Sequence, residues 1–220
     1  MSVSKIPPRA GKPSYPYDAV LFDFDGVLAD TEPVHCDCWA EVVKPFGVSL
    51  DWEMYRSIGI GASDRDLVEL MAHRAGPPLT PEQLLAQHPE KQRLFKTRVL
   101  ADPPIPPYIS DLINSLFGIK LAVVTSSFRS EIDPILARAG LRRAFLTLVA
   151  GDDVENLKPA PEPYLLAASR LQVISPLVVE DSEAGAASGR AAGFDVLRVA
   201  GPSEVPAAVR QALLTGRVPA

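Results

Sequence analysis

The sequence is poor in cysteine: Cys36 and Cys38 are the only two in 220 residues. At i and i+2 on a helix their side chains point apart, so no bridge is expected between them. Two soft ligands without a further cysteine cluster also make no zinc site. Such usage fits a reducing compartment. No apolar run reaches the length of a membrane span, and the opening "MSVSKIPPRAGKPSYP" has no apolar stretch of signal-peptide length. Residues 1–16 therefore read as a flexible leader on a cytoplasmic protein without a membrane partner. A basic stripe is missing too. With 22 basic against 27 acidic residues and a net charge of −5, no surface is set up to neutralise a phosphate backbone, which argues against a nucleic-acid partner. A small anionic ligand held at a local site stays open. Internal repeats and low-complexity tracts are absent as well.

What the sequence does have is a series of short apolar runs: "AVLFDF" from 19, "IKLAVVTSS" from 119, "FLTLVAGDD" from 145, "PLVVEDS" from 176 and "FDVLRVAG" from 194. From residue 127 onward, segments of helical period separate them. Ser130 with Asp133 is expected to open one helix and Gly140 to close it, with Ile135, Leu136 and Ala139 on its apolar face. "APEPYLLAASRLQ" gives the next, with Pro161 in the first turn, and "EAGAASGRAAG" a third whose small residues let it lie close on a sheet. Nearly continuous Val/Leu/Ile strands alternating with helices predict a parallel sheet covered on both faces.

Residues 34–103 break this rhythm. Val34, Cys38 and Val42, with Trp39, Val43 and Phe46, mark one amphipathic stretch, and Leu67, Val68, Leu70 and Met71 mark another. Thr80, Pro81 and Gln83 form an N-cap, a first-turn proline and a capping-box partner for a third helix, and "PEKQRLFKTRVL" supplies a fourth. "ADPPIPPYI" from 101 reads as the return linker, since proline blocks helix and strand alike. The expected fold is α/β, a Rossmann-like doubly wound parallel sheet formed by 1–32 and 104–220, with 33–103 inserted as a helical-bundle cap.

In an open parallel sheet, ligands meet the carboxyl ends of the strands near the switch in strand order. The polar residues at those ends are Asp23 and Asp25, then Thr125, Ser126 and Ser127, then Asp152 and Asp153, then Glu180 and Asp181, with Lys158 after the third strand. Crowded carboxylates raise one another's pKa unless a cation joins them, and a hard divalent ion such as Mg²⁺ answers an all-oxygen set. An aspartate, a hydroxyl, a lysine and Mg²⁺ suit phosphoryl transfer through an aspartyl-phosphate. Two simpler readings compete. Asp and Gly are common after a strand as a solvated turn. An EF-hand loop fails, because Gly26 falls at the fourth place instead of the sixth and the twelfth is Val34.

"LFDFDGVLADTE", "VVTSS", "KPAPEPY" and "VVEDSEAG", in that order from 21 to 185, resemble the haloacid dehalogenase-like hydrolase superfamily. More narrowly, they resemble its helical-cap branch, which contains phosphoglycolate phosphatase and β-phosphoglucomutase. The resemblance implies that Asp23 is the nucleophile and Asp25 the general acid that protonates the leaving alcohol and then activates water. Thr125 and Lys158, with Ser126, would hold the transferring phosphate. Mg²⁺ would be bound by Asp23, Asp181, Glu180 and Asp25, the last through its backbone carbonyl. A small phosphorylated metabolite is the implied substrate. Asp25 also argues for ester chemistry, since dehalogenases lack an acid at that place and P-type ATPases put threonine there.

Within the cap, resemblance to the mutase would make His35 an assistant to Asp25 and Lys91 a substrate contact, with Trp39 and Thr31 in support. The plainer reading makes His35 and Trp39 packing residues one helical turn apart. "GIGASDRDL" from 59 matches a specificity loop loosely, with Arg65 as a phosphate contact. His73 and His88 read as surface or helix residues, and Asp152 and Asp153 as no more than outer acids. A phosphatase is the expected activity. A sugar-phosphate mutase or a silent binding protein on the same fold remains the alternative.

Overall fold

A computed structural model describes residues 15–58, 64–75 and 78–218. Five parallel strands form one sheet: β1 (Ala19–Phe22), β2 (Lys120–Val124), β3 (Thr147–Val149), β4 (Pro176–Glu180) and β5 (Asp195–Arg198), in the order β3-β2-β1-β4-β5. Pairing is parallel throughout, with Val20 opposite both Leu121 and Leu177. Strand order reverses at β1, so its carboxyl end lies where flanking connections diverge and leave a crevice.

Successive side chains of a strand face opposite sides of its sheet, and the core divides accordingly. Val20, Phe22, Leu121, Val123, Leu148, Leu177, Val179 and Leu197 pack on one side with α6 (Pro107–Ser115), α7 (Arg129–Arg138) and α10 (Val205–Thr215). Ala19, Leu21, Ala122, Val124, Val149, Val178 and Val196 pack on the other with α8 (Glu162–Leu171) and α9 (Glu183–Ala191). The small residues of α9 bring it onto the strands: a Cβ at Gly189 would lie 2.7 Å from a Val196 methyl. The doubly wound α/β fold is as the apolar runs predict.

Between β1 and β2 lies a helical unit with its own apolar cluster. It comprises α1 (Glu32–Val43), α2 (Trp52–Ile58), α3 (Asp64–Ala75), α4 (Pro81–Leu85) and α5 (His88–Ala101). Trp39, Val43, Tyr55, Val68, Met71 and Leu84 fill that cluster. Thr80 caps α4 as expected, its hydroxyl accepting from Gln83 N while Gln83 Oε1 accepts from Thr80 N. The two chain crossings that join this unit to the sheet are tied together by Asp30 N–H donating to Pro104 O at 2.8 Å. Among the described residues, no helix is long and apolar enough to cross a membrane.

Several local expectations fail for physical reasons. Among the described residues the unit has five α-helices instead of four, because α2 is too short to show a clear period. Phe46 and Leu70 are exposed, and Val34 packs on the sheet-side core instead of inside the helical cluster. The segment expected as linker already contains the start of α6, where Pro106 and Pro107 occupy N-cap and N1, places that tolerate a missing N–H. Ser130 does not open α7. That helix begins at Arg129, whose N–H is taken by Asp152 Oδ1 at 3.1 Å, so the side chain of Ser130 has no capping task. Pro161 stands at the N-cap of α8, one place before the first turn.

Candidate active site

The carboxyl edge of the sheet holds its polar residues by backbone bonds that extend the ladders. Asp23 N–H donates to Val179 O at 3.0 Å, and Thr125 N–H donates to Val149 O at 2.9 Å. Both residues are buried, as is Glu180. Lys158 approaches from the loop after β3, next to a cis bond to Pro159. Its ammonium donates to Asp23 Oδ1 at 2.5 Å, to Glu180 Oε1 at 2.6 Å and to Val124 O at 2.9 Å, so all three of its donors are used.

Glu180 is fixed on every side. Its Oε1 also accepts from the Tyr164 hydroxyl at 2.6 Å, while Oε2 accepts from Ser182 Oγ at 3.0 Å. Ser182 meanwhile caps α9 by accepting from Gly185 N. The Lys158 ammonium stands 5.1 Å above the centre of the Tyr164 ring, a favourable place for a cation.

Asp25 is held separately. Thr31 Oγ1 donates to its Oδ1 at 2.8 Å and Ser127 Oγ to its Oδ2 at 3.0 Å. Thr31 sits at the N-cap position of α1 but makes no side-chain cap, because its hydroxyl is turned to Asp25. Ser127 N–H donates to Thr125 Oγ1 at 3.1 Å, leaving the Thr125 hydroxyl proton available to a ligand. Gly26, at φ +71°, makes the turn in between. A Cβ there would lie 2.0 Å from Asp181 Oδ2, so only glycine lets the loop and that carboxylate share the space.

The site carries more negative charge than one lysine balances. Burial pushes Asp23 well above the usual carboxylate range; Lys158 pulls it back, and Glu180 and Asp25 push it further up. Burial also raises Asp25, against the hydrogen bonds from Thr31 and Ser127. Asp181 is raised to about 6, chiefly by burial and then by Glu180. Burial disfavours the charge on Lys158, yet Asp23 and Glu180 outweigh it and hold the ammonium above its ordinary value. Among the described residues, Asp23, Glu180 and Asp181 form the one cluster able to hold a metal, with oxygens all within 4.8 Å of one another. An all-oxygen, anion-rich set of this kind fits Mg²⁺.

The other anticipated residues have surroundings of their own, although His35 and Lys91 line the cleft beside Asp25. Ser126 is exposed, and it is Ser127, one residue on, that reaches Asp25. Asp152 and Asp153 serve structure: Asp153 takes Arg129 at 2.5 Å and the Ala150 N–H, below the Arg170 guanidinium. Arg65 is exposed on α3, and residues 59–63 of the expected specificity loop lie outside the described residues. His35 stacks on Phe95, with ring centroids 4.0 Å apart, and burial followed by Lys91 lowers it to about 3. Lys91 is buried and bound by Asp64 at 3.0 and 3.3 Å. Asp64 also accepts from Trp39 Nε1 at 2.8 Å and meets His88 Nε2 at 2.9 Å, His88 being the first residue of α5 and a helix residue as expected. Both cysteines are free and buried.

In the sequence Ser127 stands only among the polar residues that follow β2, and Tyr164, Ser182 and Asp64 carry no assigned role. All four lie inside quoted motifs, Asp64 within "GIGASDRDL", but their direction depends on loop and helix geometry. The partners of Asp64 lie 24 to 27 residues away, so the motif around it does not announce them.

The sequence model of the haloacid dehalogenase-like hydrolases matches residues 17–193. The fructose-1-phosphate phosphatase YqaB of Escherichia coli (strain K12) is 32% identical over 186 residues, covering 83% of this chain and 96% of the relative. A phosphorylated carbohydrates phosphatase of Thermotoga maritima is 33% identical, covering 81% and 82%. Among solved structures, CbbY from Rhodobacter sphaeroides in complex with phosphate superposes with a TM-score of 0.60 at 29% identity, over 83% of this chain and 87% of that one. Built on this fold and matched along most of its length, the chain belongs to the haloacid dehalogenase-like hydrolases, as one of the family's phosphohydrolases.

Proposed function

We propose that the protein is a Mg²⁺-dependent phosphatase that hydrolyses a small sugar phosphate in two steps through an aspartyl-phosphate on Asp23. The observation that carries this reading is a pair of carboxylates with divided surroundings: Asp23 on the Lys158 ammonium, Asp25 on two hydroxyls. An Asp23 oxygen attacks phosphorus in line with the leaving alcohol oxygen. Asp25, raised by burial and therefore able to carry a proton, gives it to that oxygen as the bond breaks. In the second step Asp25 takes a proton from water, the water oxygen attacks the phosphorus, and inorganic phosphate leaves with Asp23 restored. Lys158 and the Thr125 hydroxyl stabilise the negative charge of the transferring group.

Asp23, Asp181 and the Asp25 carbonyl, with Glu180 beside them, would hold Mg²⁺, which supplies charge neutralisation for the phosphoryl oxygens when bound. Residues 33–103 would act as a cap that closes over the leaving group and excludes water. The sugar assignment draws on the two relatives named for fructose-1-phosphate and phosphorylated carbohydrates. Thr31, His35, Trp39 and Lys91 would also suit a mutase, but Thr31 holds Asp25 and Trp39 and Lys91 meet Asp64, tasks that a phosphatase needs equally.

The test is hydrolysis of an aryl phosphate with and without Mg²⁺. Wild-type protein should need the metal, and Asp23→Asn should lose turnover by at least about three orders of magnitude while keeping its circular dichroism. Wild-type turnover by that variant would sink the mechanism.

A further inference from the structure

A cleft of about 560 Å³ opens beside Asp25, between α1 and α5 on one side and α7 on the other. It is the space in which the alcohol half of a phosphate ester would lie. Three basic residues line it, Lys91, Arg93 and Lys96. Lys91 is 3% exposed and is neutralised by Asp64, with the Trp39 ring centre 5.5 Å from its ammonium. Arg93 is exposed and turned onto Glu90 by two bonds of 2.8 and 2.6 Å. Lys96 is exposed, where solvent screens its charge. Glu32 meanwhile lines the same cleft and accepts from the Tyr55 hydroxyl at 2.7 Å. Among the described residues, the cleft thus offers a second anion no buried, unopposed cation, and it offers a carboxylate that repels one.

We infer that Asp64 is a specificity-determining residue: by holding Lys91 neutralised, it makes the cleft select phosphomonoesters whose alcohol is uncharged and hydroxyl-bearing and turn away bisphosphates. The inference rests on the phosphatase reading and narrows its substrate class. Sugar hydroxyls can donate to Glu32 and exchange hydrogen bonds with Gln92 and Ser130, all of which line the cleft. A second phosphate would have to stay beside Glu32 with its charge uncompensated, and like charges set together in a site suppress the wrong ligand. A mutase that works through a sugar bisphosphate would meet the same barrier.

The experiment compares kcat/KM for an aryl phosphate, for fructose 1-phosphate with other sugar monophosphates, and for the matching bisphosphates. Wild-type enzyme is expected to prefer a monophosphate over its bisphosphate by about tenfold or more. Asp64→Asn, which leaves the Lys91 charge unopposed, should move that ratio toward the bisphosphate by about tenfold, mainly through a lower KM for the bisphosphate. If Asp64→Asn does not fold, Lys91→Gln leaves Asp64 unopposed and should move the ratio the other way. Equal use of both esters by wild type, or no change of ratio in the variants, overturns the inference. So does hydrolysis of the aryl phosphate without hydrolysis of any sugar monophosphate, with the phosphatase reading still standing. No hydrolysis of any of them overturns the phosphatase reading and the inference together.

Discussion

Among the described residues, two lysines with buried side chains sit in similar seats with opposite consequences. Lys158 and Lys91 each place an ammonium over an aromatic face, at 5.1 Å from Tyr164 and 5.5 Å from Trp39, and each has a carboxylate within 3.0 Å. At the sheet edge Lys158 faces Asp23 and Glu180, and Asp181 and Asp25 crowd the same ground. In the helical unit Lys91 meets Asp64 alone, one charge for one, and Asp64 is a third exposed. The sheet edge is left with surplus negative charge, which calls for a further cation. The Lys91–Asp64 pair is balanced and leaves no surplus charge of either sign. A buried lysine by itself therefore says little about anion binding; the number of carboxylates that meet it decides.

The largest expected contrast comes from deleting each ammonium. Lys158→Met strands two buried carboxylates and should cost about 3–5 kcal/mol in metal-free urea denaturation. Lys91→Met leaves Asp64 with His88, Trp39 and solvent, and should cost about 1 kcal/mol. Equal losses would remove the distinction. Added Mg²⁺ is the next probe. At a hundredfold excess over its Kd it should stabilise the wild type by about 2.7 kcal/mol, raising Tm by about 2–4 °C per kcal/mol. Asp181→Asn should abolish that rise and Asp64→Asn should keep it; a rise that followed Asp64 would put the metal in the wrong region.

Tyr164→Phe keeps the ring under Lys158 but removes the donor to Glu180. A bond of this kind to a buried charged group is worth about 1.5–3 kcal/mol, read as a shift in urea midpoint with an unchanged m-value. The smallest effect depends on pH. Because the folded protein resists protonating His35, that residue's contribution to stability is complete above about 6.5 and is lost as pH falls from there toward about 3. Between pH 7 and 5 the wild type should lose about 1–2 kcal/mol more than His35→Phe, which keeps the stack on Phe95. Parallel pH curves for the two proteins would show that His35 is not held neutral.

What could be read in advance follows a physical divide. The strands were legible because a doubly covered parallel strand needs apolar side chains on both faces, so "AVLF" and "PLVVE" name themselves. Asp23, Asp25, Lys158, Glu180 and Asp181 were legible because strand ends in such a sheet leave polar groups at one edge. Ser127 was not separable from Ser126, since that choice turns on the direction of one peptide after β2. Tyr164 reads in sequence as a packing aromatic on α8, and only the closeness of β4 gives its hydroxyl a partner. Proline misled at 106–107, where it starts a helix instead of preventing one. Asp64 shows the limit most clearly: one of two acids in the first turn of α3, it becomes the hub of a cluster only once α1 and α5 are packed beside it.

The short span from Asp23 to Thr31 is a matter of length as much as of chemistry. Phe24 O accepts from the N–H groups of both Leu28 and Ala29, Gly26 N–H donates to Ala29 O, and Asp30 is tied across to Pro104. With its hydroxyl on Asp25, Thr31 ends a closed loop that cannot gain or lose a residue without separating the acid from its holder. Everything between Thr31 and Pro103 hangs outside that loop. The inserted helices could thus be exchanged for others of different size and still arrive in register with the sheet edge, whereas one residue inserted at 27 would be expected to silence the enzyme with every side chain of the edge still present.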